Sequence, residues 1–279
     1  MWVILRVMEP LEGRVVYRHS VSARASHWLW FIAILVLLTS GLQIFNAAPY
    51  LDASDQSDPA HRVLAFGAEM GPHGPVGTTT IFGHSFVTTG VLGYTDDGMG
   101  GETERAFPGW ITLPNYQALA DGRRWHLFFG WALILALAVY YTGAAIRGDF
   151  KELIFRPSDV PKLIPMQLYY LRLRRDPPPH GKYNPLQKLT YTVVLFVFIP
   201  LMVLTGLALS PGMDAIAQPL TAVFGGRQFA RLWHFTIMVI LIAYFFVHMF
   251  FVATTRPIEN IKSMITGRYR LGKHDGVGP

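Results

Sequence analysis

Four histidines stand at the margins of the chain's apolar stretches: His27, His126, His234 and His248. A neutral imidazole is a good nitrogen ligand for transition metals and titrates near neutral pH. Two of the four share one stretch, Leu232–Thr255, which reads LWHFTIMVILIAYFFVHMFFVATT and has no Asp, Glu, Lys or Arg in 24 residues. Its histidines are 14 positions apart. At 100° per residue the second returns to within about 40° of the first, and the two are separated by roughly 21 Å along a helix axis. One helix face therefore presents an imidazole near each end. A segment that long and apolar predicts a membrane-spanning helix, where ionisable groups are costly and mostly functional.

The elements that must position these side chains follow from composition and hydropathy. Of 279 residues, 51% are hydrophobic and 15% charged, well under the roughly 25% charged typical of soluble chains. The expected fold class is an all-α integral membrane protein, a single-domain bundle (1–279) of four transmembrane helices. The spans are expected at about 28–45, 125–146, 189–210 and 232–255, the third bent at Pro200. A Gly- and Pro-rich connection, 46–122, carries few periodic signals and nine acidic residues. Loops of that length are functional or disordered, and this one is expected to dock a partner. Between spans two and three, PKLIPMQLYYLRLRR suggests an interfacial helix. The start, MWVILRVMEP, lacks the basic n-region of a cleaved signal peptide.

Lys and Arg set the orientation. With the N-terminus in the cytoplasm, inner segments hold 18 and outer segments six, so a multi-pass protein of the bacterial inner (cytoplasmic) membrane is expected, with both termini on its cytoplasmic side. The net charge of +6 then belongs to topology, and no nucleic-acid partner is expected. The absence of cysteine excludes thiolate-held iron–sulfur clusters and covalently attached haem in this chain.

Placed on this topology, the histidines fall at two depths: His126 with His234 on the outer side, His27 with His248 on the inner. Each depth offers two imidazoles from two helices, the ligand set of a bis-histidine haem b, so two haems b are expected. Arg24, Arg123, Arg124 and Arg231 lie two or three positions before these ligands and suit bidentate contact with haem propionates. Gly41, Gly143 and Gly206 lie within spans, where small residues admit either a macrocycle or a neighbouring helix. His19, His61, His73, His84, His180 and His274 fall outside the spans and read as solvated. A His-lined proton or metal transporter is the alternative from another class, although the spans carry no acidic residue to support it. A transmembrane reductase that works without quinone is a further one.

With those residues in place, the chain resembles a known family. RASHW at the first span, a His opening the second, YNPLQK before the third and the paired histidines of the fourth are similar to the bacterial di-haem cytochrome b subunits of nickel–iron hydrogenases and formate dehydrogenases. FPGWITLP, GRRWH and LTGLALSPGMD bring it nearest the thiosulfate-reductase-type branch, and the likeness covers about residues 16–270. The resemblance implies an electron-transfer subunit of a respiratory oxidoreductase complex. It would connect a periplasmic redox partner, of molybdopterin type, to membrane quinone near the inner haem. Asn184 and Gln187 match the segment beside the family's quinone site; Asn184-Pro185 also reads as a helix cap with Pro at N1. The 77-residue connection is longer than in the hydrogenase and formate dehydrogenase members, so their partner contacts do not carry over there.

Overall fold

The structure is a computed structural model and describes residues 13–272. The MWVILRVMEP opening and the end of the tail with His274 lie outside the described residues. In chain order, β1 (Val15–Tyr17) precedes α1 (Val21–Phe45). Six strands follow: β2 (Tyr50–Asp52), β3 (Arg62–Gly71), β4 (Gly74–Ile81), β5 (His84–Val87), β6 (Gly93–Asp96) and β7 (Glu102–Arg105). Next come α2 (Leu119–Arg147), α3 (Phe150–Leu153) and α4 (Leu163–Tyr170). The third span is α5 (Pro185–Val193), a π-helical turn over Val194–Phe198, and α6 (Ile199–Leu209). The chain closes with α7 (Pro211–Ile216), α8 (Gln218–Val223), α9 (Arg227–Thr254), α10 (Pro257–Thr266) and β8 (Arg268–Arg270).

Among the described residues, four helices are long and apolar enough to cross a membrane: Val21–Phe45, Leu119–Arg147, Pro185–Leu209 and Arg227–Thr254. The mostly helical, multi-span class therefore holds. Each helix starts several residues before its apolar window, since Lys, Arg and Gln are as helix-compatible as Leu. His27, His126 and His234 thus sit a turn or more inside their helices. A bend is expected at Pro200, and a π turn lies just before it. Proline has no N–H to donate and crowds the carbonyl four residues back, which falls within that widened turn.

The chain divides into two compact units. The larger comprises His27–Ala138 and Phe198–Ala243. Here the expectation of an aperiodic connection over 46–122 is corrected: the segment folds into antiparallel sheets, β2-β3-β4-β5 and β6-β7. Two-residue turns set the register. Gly71 pairs with Gly74 across Pro72-His73, and Ile81 with His84 across Phe82-Gly83. Phe82 and Gly83 take φ of 48° and 81°, the paired positive values of a primed hairpin turn that matches strand twist. The apolar faces of these strands meet the end of α1. Phe45, Leu51, Phe66 and Ala106 form a buried cluster against Phe107 and Phe235, with Phe45 and Phe66 edge to face at 5.9 Å.

The smaller unit holds the chain up to Ser26, Val139–Val197 and the chain from Tyr244. β1 pairs antiparallel with β8, Val16 opposite Tyr269, and the Arg18 guanidinium lies 4.3 Å from the Tyr269 ring centre. Tyr183 meets Tyr191 edge to face at 5.4 Å. Burial pushes the Tyr183 phenol up to about 12, with the Arg18 cation pulling the other way. Gly143 lets α2 pass close to α1, because a Cβ there would stand 2.8 Å from Ser22 Oγ. That glycine serves ordinary helix packing.

Candidate functional site

Of the histidines singled out by spacing, the larger unit brings His126 of α2 and His234 of α9 together. Their ring centres are 6.2 Å apart, with the planes at 67°. Both rings are clasped in the same way by an adjacent span. His126 Nδ1 lies 3.2 Å from Ser40 Oγ and 3.1 Å from the Leu37 carbonyl on α1. His234 Nδ1 lies 2.9 Å from Thr205 Oγ1 on α6. The residue after each hydroxyl is a glycine that makes room for the ring. A Cβ at Gly41 would stand 3.2 Å from His126 Cε1, and one at Gly206 would stand 3.3 Å from His234 Cε1. A hydroxyl–glycine pair, Ser40-Gly41 or Thr205-Gly206, thus forms a cradle for each imidazole.

The hydrogen bonds settle the tautomers. A carbonyl only accepts, so His126 Nδ1 carries the proton that points at Leu37. The single hydroxyl hydrogen of Thr205 has the Leu201 and Met202 carbonyls at 2.8 and 3.1 Å to take it, so its oxygen is the acceptor for His234 Nδ1. Both rings therefore keep their lone pair on Nε2, as a metal-ligating imidazole does when its other nitrogen donates outward. Two metal–nitrogen bonds of about 2 Å, plus about 1 Å from each Nε2 to its ring centre, give the centre-to-centre spacing of a shared metal. These residues fit a group that takes one neutral imidazole on each side. Ser40 and Thr205 are fully buried, so the clasps work without competing water.

The α1 cradle is braced from the strands. Two residues after Gly41, Gln43 accepts at Oε1 from Arg105 Nη2 at 3.0 Å. Arg105 is 1% exposed and donates further to Thr112 Oγ1 at 3.0 Å, the Asp97 carbonyl at 3.0 Å and the Asn115 carbonyl at 3.1 Å. Burial pulls its guanidinium below the usual value, and the Asp96 and Asp97 carboxylates oppose that shift. At the end of α1, Asn46 exchanges two bonds with the Phe107 backbone.

The other sequence-predicted residues are placed as follows. Arg231 donates to the Ala48 carbonyl and lies 5.1 Å from the Phe45 ring centre, pinning the chain where it leaves α1. Arg123 and Arg124 are exposed on α2, Arg124 bonding Asp121 at 3.0 Å. In the smaller unit, Arg24 donates to the Ile265 carbonyl. Asn184 and Gln187 form a reciprocal capping box at the start of α5, with bonds of 2.9 and 3.1 Å, and Asn184 Nδ2 donates to Tyr170 Oη at 2.9 Å. His27 belongs to the larger unit, its ring 5.4 Å from Trp28; His248 belongs to the smaller, 5.9 Å from Tyr244. His61 pairs with Asp58 at 2.6 Å, and His73 and His84 sit in the hairpins. Ser40 and Thr205 escaped the sequence reading. Their signal was a small hydroxyl residue directly before a glycine in two otherwise apolar spans.

Comparison with known proteins gives a family. Residues 18–267 match a family described as prokaryotic cytochrome b561. A stretch of 92 residues is 37% identical to "Putative cytochrome YdhU" of Escherichia coli (strain K12). That match takes in 32% of this chain and 33% of the relative, so it spans about a third of the curated protein's length.

Proposed function

The chain belongs to the prokaryotic cytochrome b561 family, and from that premise we propose that it is the haem-carrying membrane subunit of a respiratory oxidoreductase complex. It is a multi-pass membrane cytochrome of electron transfer, and the family binds haem b. In the proposed complex it moves electrons between a periplasmic redox partner of molybdopterin type and the quinone pool of the bacterial cytoplasmic membrane, with both termini in the cytoplasm. The observation that carries the reading is the His126–His234 pair, 6.2 Å between ring centres with both Nδ1 groups turned to protein acceptors.

Bound haem b supplies a one-electron iron couple. The protein's own residues do the rest. His126 and His234 are the proposed axial ligands of one haem, each kept neutral and oriented by its clasp. The buried hydroxyls and the leucine carbonyl exclude water from the outward nitrogens and keep the ligands basic. His27 and His248 are proposed for a second haem on the spacing of the sequence. Arg123 and Arg124, just ahead of His126, are the proposed propionate contacts. Arg24 and Arg231 join them: each gives one hydrogen bond to a backbone carbonyl, and a guanidinium has five N–H groups. Asn184 and Gln187 keep a proposed place beside the quinone, there through the helix start that they cap.

Purified chain should yield two haems b per polypeptide by pyridine haemochrome, with low-spin bis-imidazole signals in electron paramagnetic resonance. Replacing His248 with Ala should remove one haem and spare the other. Anaerobic addition of a quinol should reduce the remaining haem more slowly than in the parent protein. A chain that folds and carries no haem would overturn the reading, and haem that no quinol reduces would remove quinone from it.

A further inference from the structure

α10 is turned inside out for a helix in water. Three of its polar residues are engaged within the protein. Ser263 is buried, Glu259 Oε2 accepts from the Arg270 backbone N–H at 3.2 Å, and Asn260 donates to the Thr255 carbonyl. Its apolar residues face out: Ile258 is 78% exposed, Ile261 47% and Ile265 59%. At 100° per residue these three fall within about 60° of one another, a continuous stripe opposite Asn260 and Ser263. The helix begins three residues after the spanning helix α9 ends at Thr254, with Arg256 turning the chain in the left-handed region at φ 57°.

α4 also carries an outward apolar stripe, here opposite a buried apolar residue. Met166 is buried, and Ile164, Leu168 and Leu171 are exposed at positions i, i+4 and i+7, again one stripe. Because the chain crosses the membrane twice between α4 and α10, both helices lie on the same membrane face. Cations cluster beside both stripes. Arg172, Arg174 and Arg175 follow α4, Lys262 flanks the α10 stripe, and Arg268 and Arg270 extend from β8, all exposed. Apolar stripe plus basic margin is how a surface helix seats at the boundary between acyl chains and acidic headgroups.

We propose that α4 and α10 form a binding surface for anionic lipid, the isoleucine and leucine stripes entering the acyl boundary while the six cations take headgroup phosphates. This assignment rests on membrane embedding and draws nothing from the haem or quinone reading, so the two stand or fall separately.

The chain has no cysteine, so a single Ile261→Cys can be labelled with bimane in the full-length, haem-loaded protein. Ile258→Cys is a second position on the stripe, and Met70→Cys on β3 is the water-exposed reference. In nanodiscs of phosphatidylcholine with phosphatidylglycerol, labels at 261 and 258 should be quenched by a shallow doxyl lipid and shielded from iodide, the reverse of the label at 70. Phosphatidylglycerol should raise the lipid quenching over phosphatidylcholine alone. Arg172→Gln, Arg174→Gln and Arg175→Gln together should abolish that rise, each side chain being worth up to about fivefold in local lipid affinity. Iodide access at 261 and 258 would overturn the proposal, and so would shielding from both quenchers, which would mean a protein covers the face. Lipid quenching indifferent to phosphatidylglycerol would overturn the anionic preference.

Discussion

The two imidazole cradles of the larger unit look alike and are held differently. On α1, His126 Nδ1 has two acceptors, the Ser40 hydroxyl and the Leu37 carbonyl. The carbonyl belongs to the backbone, so its orientation survives any side-chain change at position 37. On α6, the Thr205 hydroxyl lies 2.9 Å from His234 Nδ1 and is itself fixed by giving its hydrogen to the Leu201 or Met202 carbonyl. α1 is also tied to the strands through Gln43 and Asn46. α6 runs into two short helices, with Thr221 of α8 donating to the Ala208 carbonyl. His126 thus has a backbone acceptor at 3.1 Å, whereas His234, with the Met202 carbonyl also beside it, gives its short hydrogen bond to a side chain. If both serve one iron, the weaker cradle decides how firmly the haem is held.

That comparison breaks first if the rings do not share a metal. His126→Ala, His234→Ala and the double variant should each lose one haem, the double no more than either single, because one missing ligand already empties the pair. A further loss in the double variant, by pyridine haemochrome, would mean that the rings serve different irons. The cradles themselves are separated next. Thr205→Val keeps shape and removes the hydroxyl, and it should weaken haem retention by about 10- to 100-fold, the usual cost of losing an outer-shell partner. Ser40→Ala should fall below that range, since Leu37 still takes the proton. Transfer of haem to apomyoglobin reads both rates, and equal rates would erase the distinction.

The spans and the histidine spacing were legible because membrane helices follow hydropathy, and because imidazoles inside apolar segments stand out against it. The strands over 46–122 were not, for a physical reason. β4 reads GPVGTTTI and β5 HSFV, too short and too rich in glycine and threonine for apolar alternation to rise above the background. Their organising information sits in two-residue turns, and Phe82 takes a positive φ where Asn or Gly is the expected signal. Of the candidate site, the histidines were readable and the clasps were not. Ser40 and Thr205 do their work through contacts 86 and 29 positions away, which no local pattern reports. The in-span glycines could be read two ways. Gly41 and Gly206 turn out to seat the imidazole rings, and Gly143 seats a helix.

Smaller effects sharpen the comparison further. Gly41→Ala and Gly206→Ala each put a Cβ within 3.2 or 3.3 Å of a ring carbon, so the imidazole must yield by a few tenths of an ångström. Each should cost about 1 kcal/mol of haem binding, within the range for mild overpacking. The low-spin g-values should move with ring orientation, by similar amounts in both variants, because the two gaps are nearly equal.

The smallest effect on the haem is expected from the largest change to the fold around it. Arg105→Met leaves the Gln43 and Thr112 oxygens and two carbonyls without their buried donor, a loss of roughly 3 kcal/mol or more to the strand region. Limited proteolysis should then cut within 46–118 sooner than in the parent. The brace acts on α1 alone, and α1 holds its ligand by two acceptors, one of them backbone. Haem retention should accordingly stay within about threefold of the parent, less than for Thr205→Val. If Arg105→Met released haem as readily as Thr205→Val, the strands rather than the hydroxyl clasps would be setting the ligand geometry. The redundancy ascribed to the α1 cradle would then be illusory.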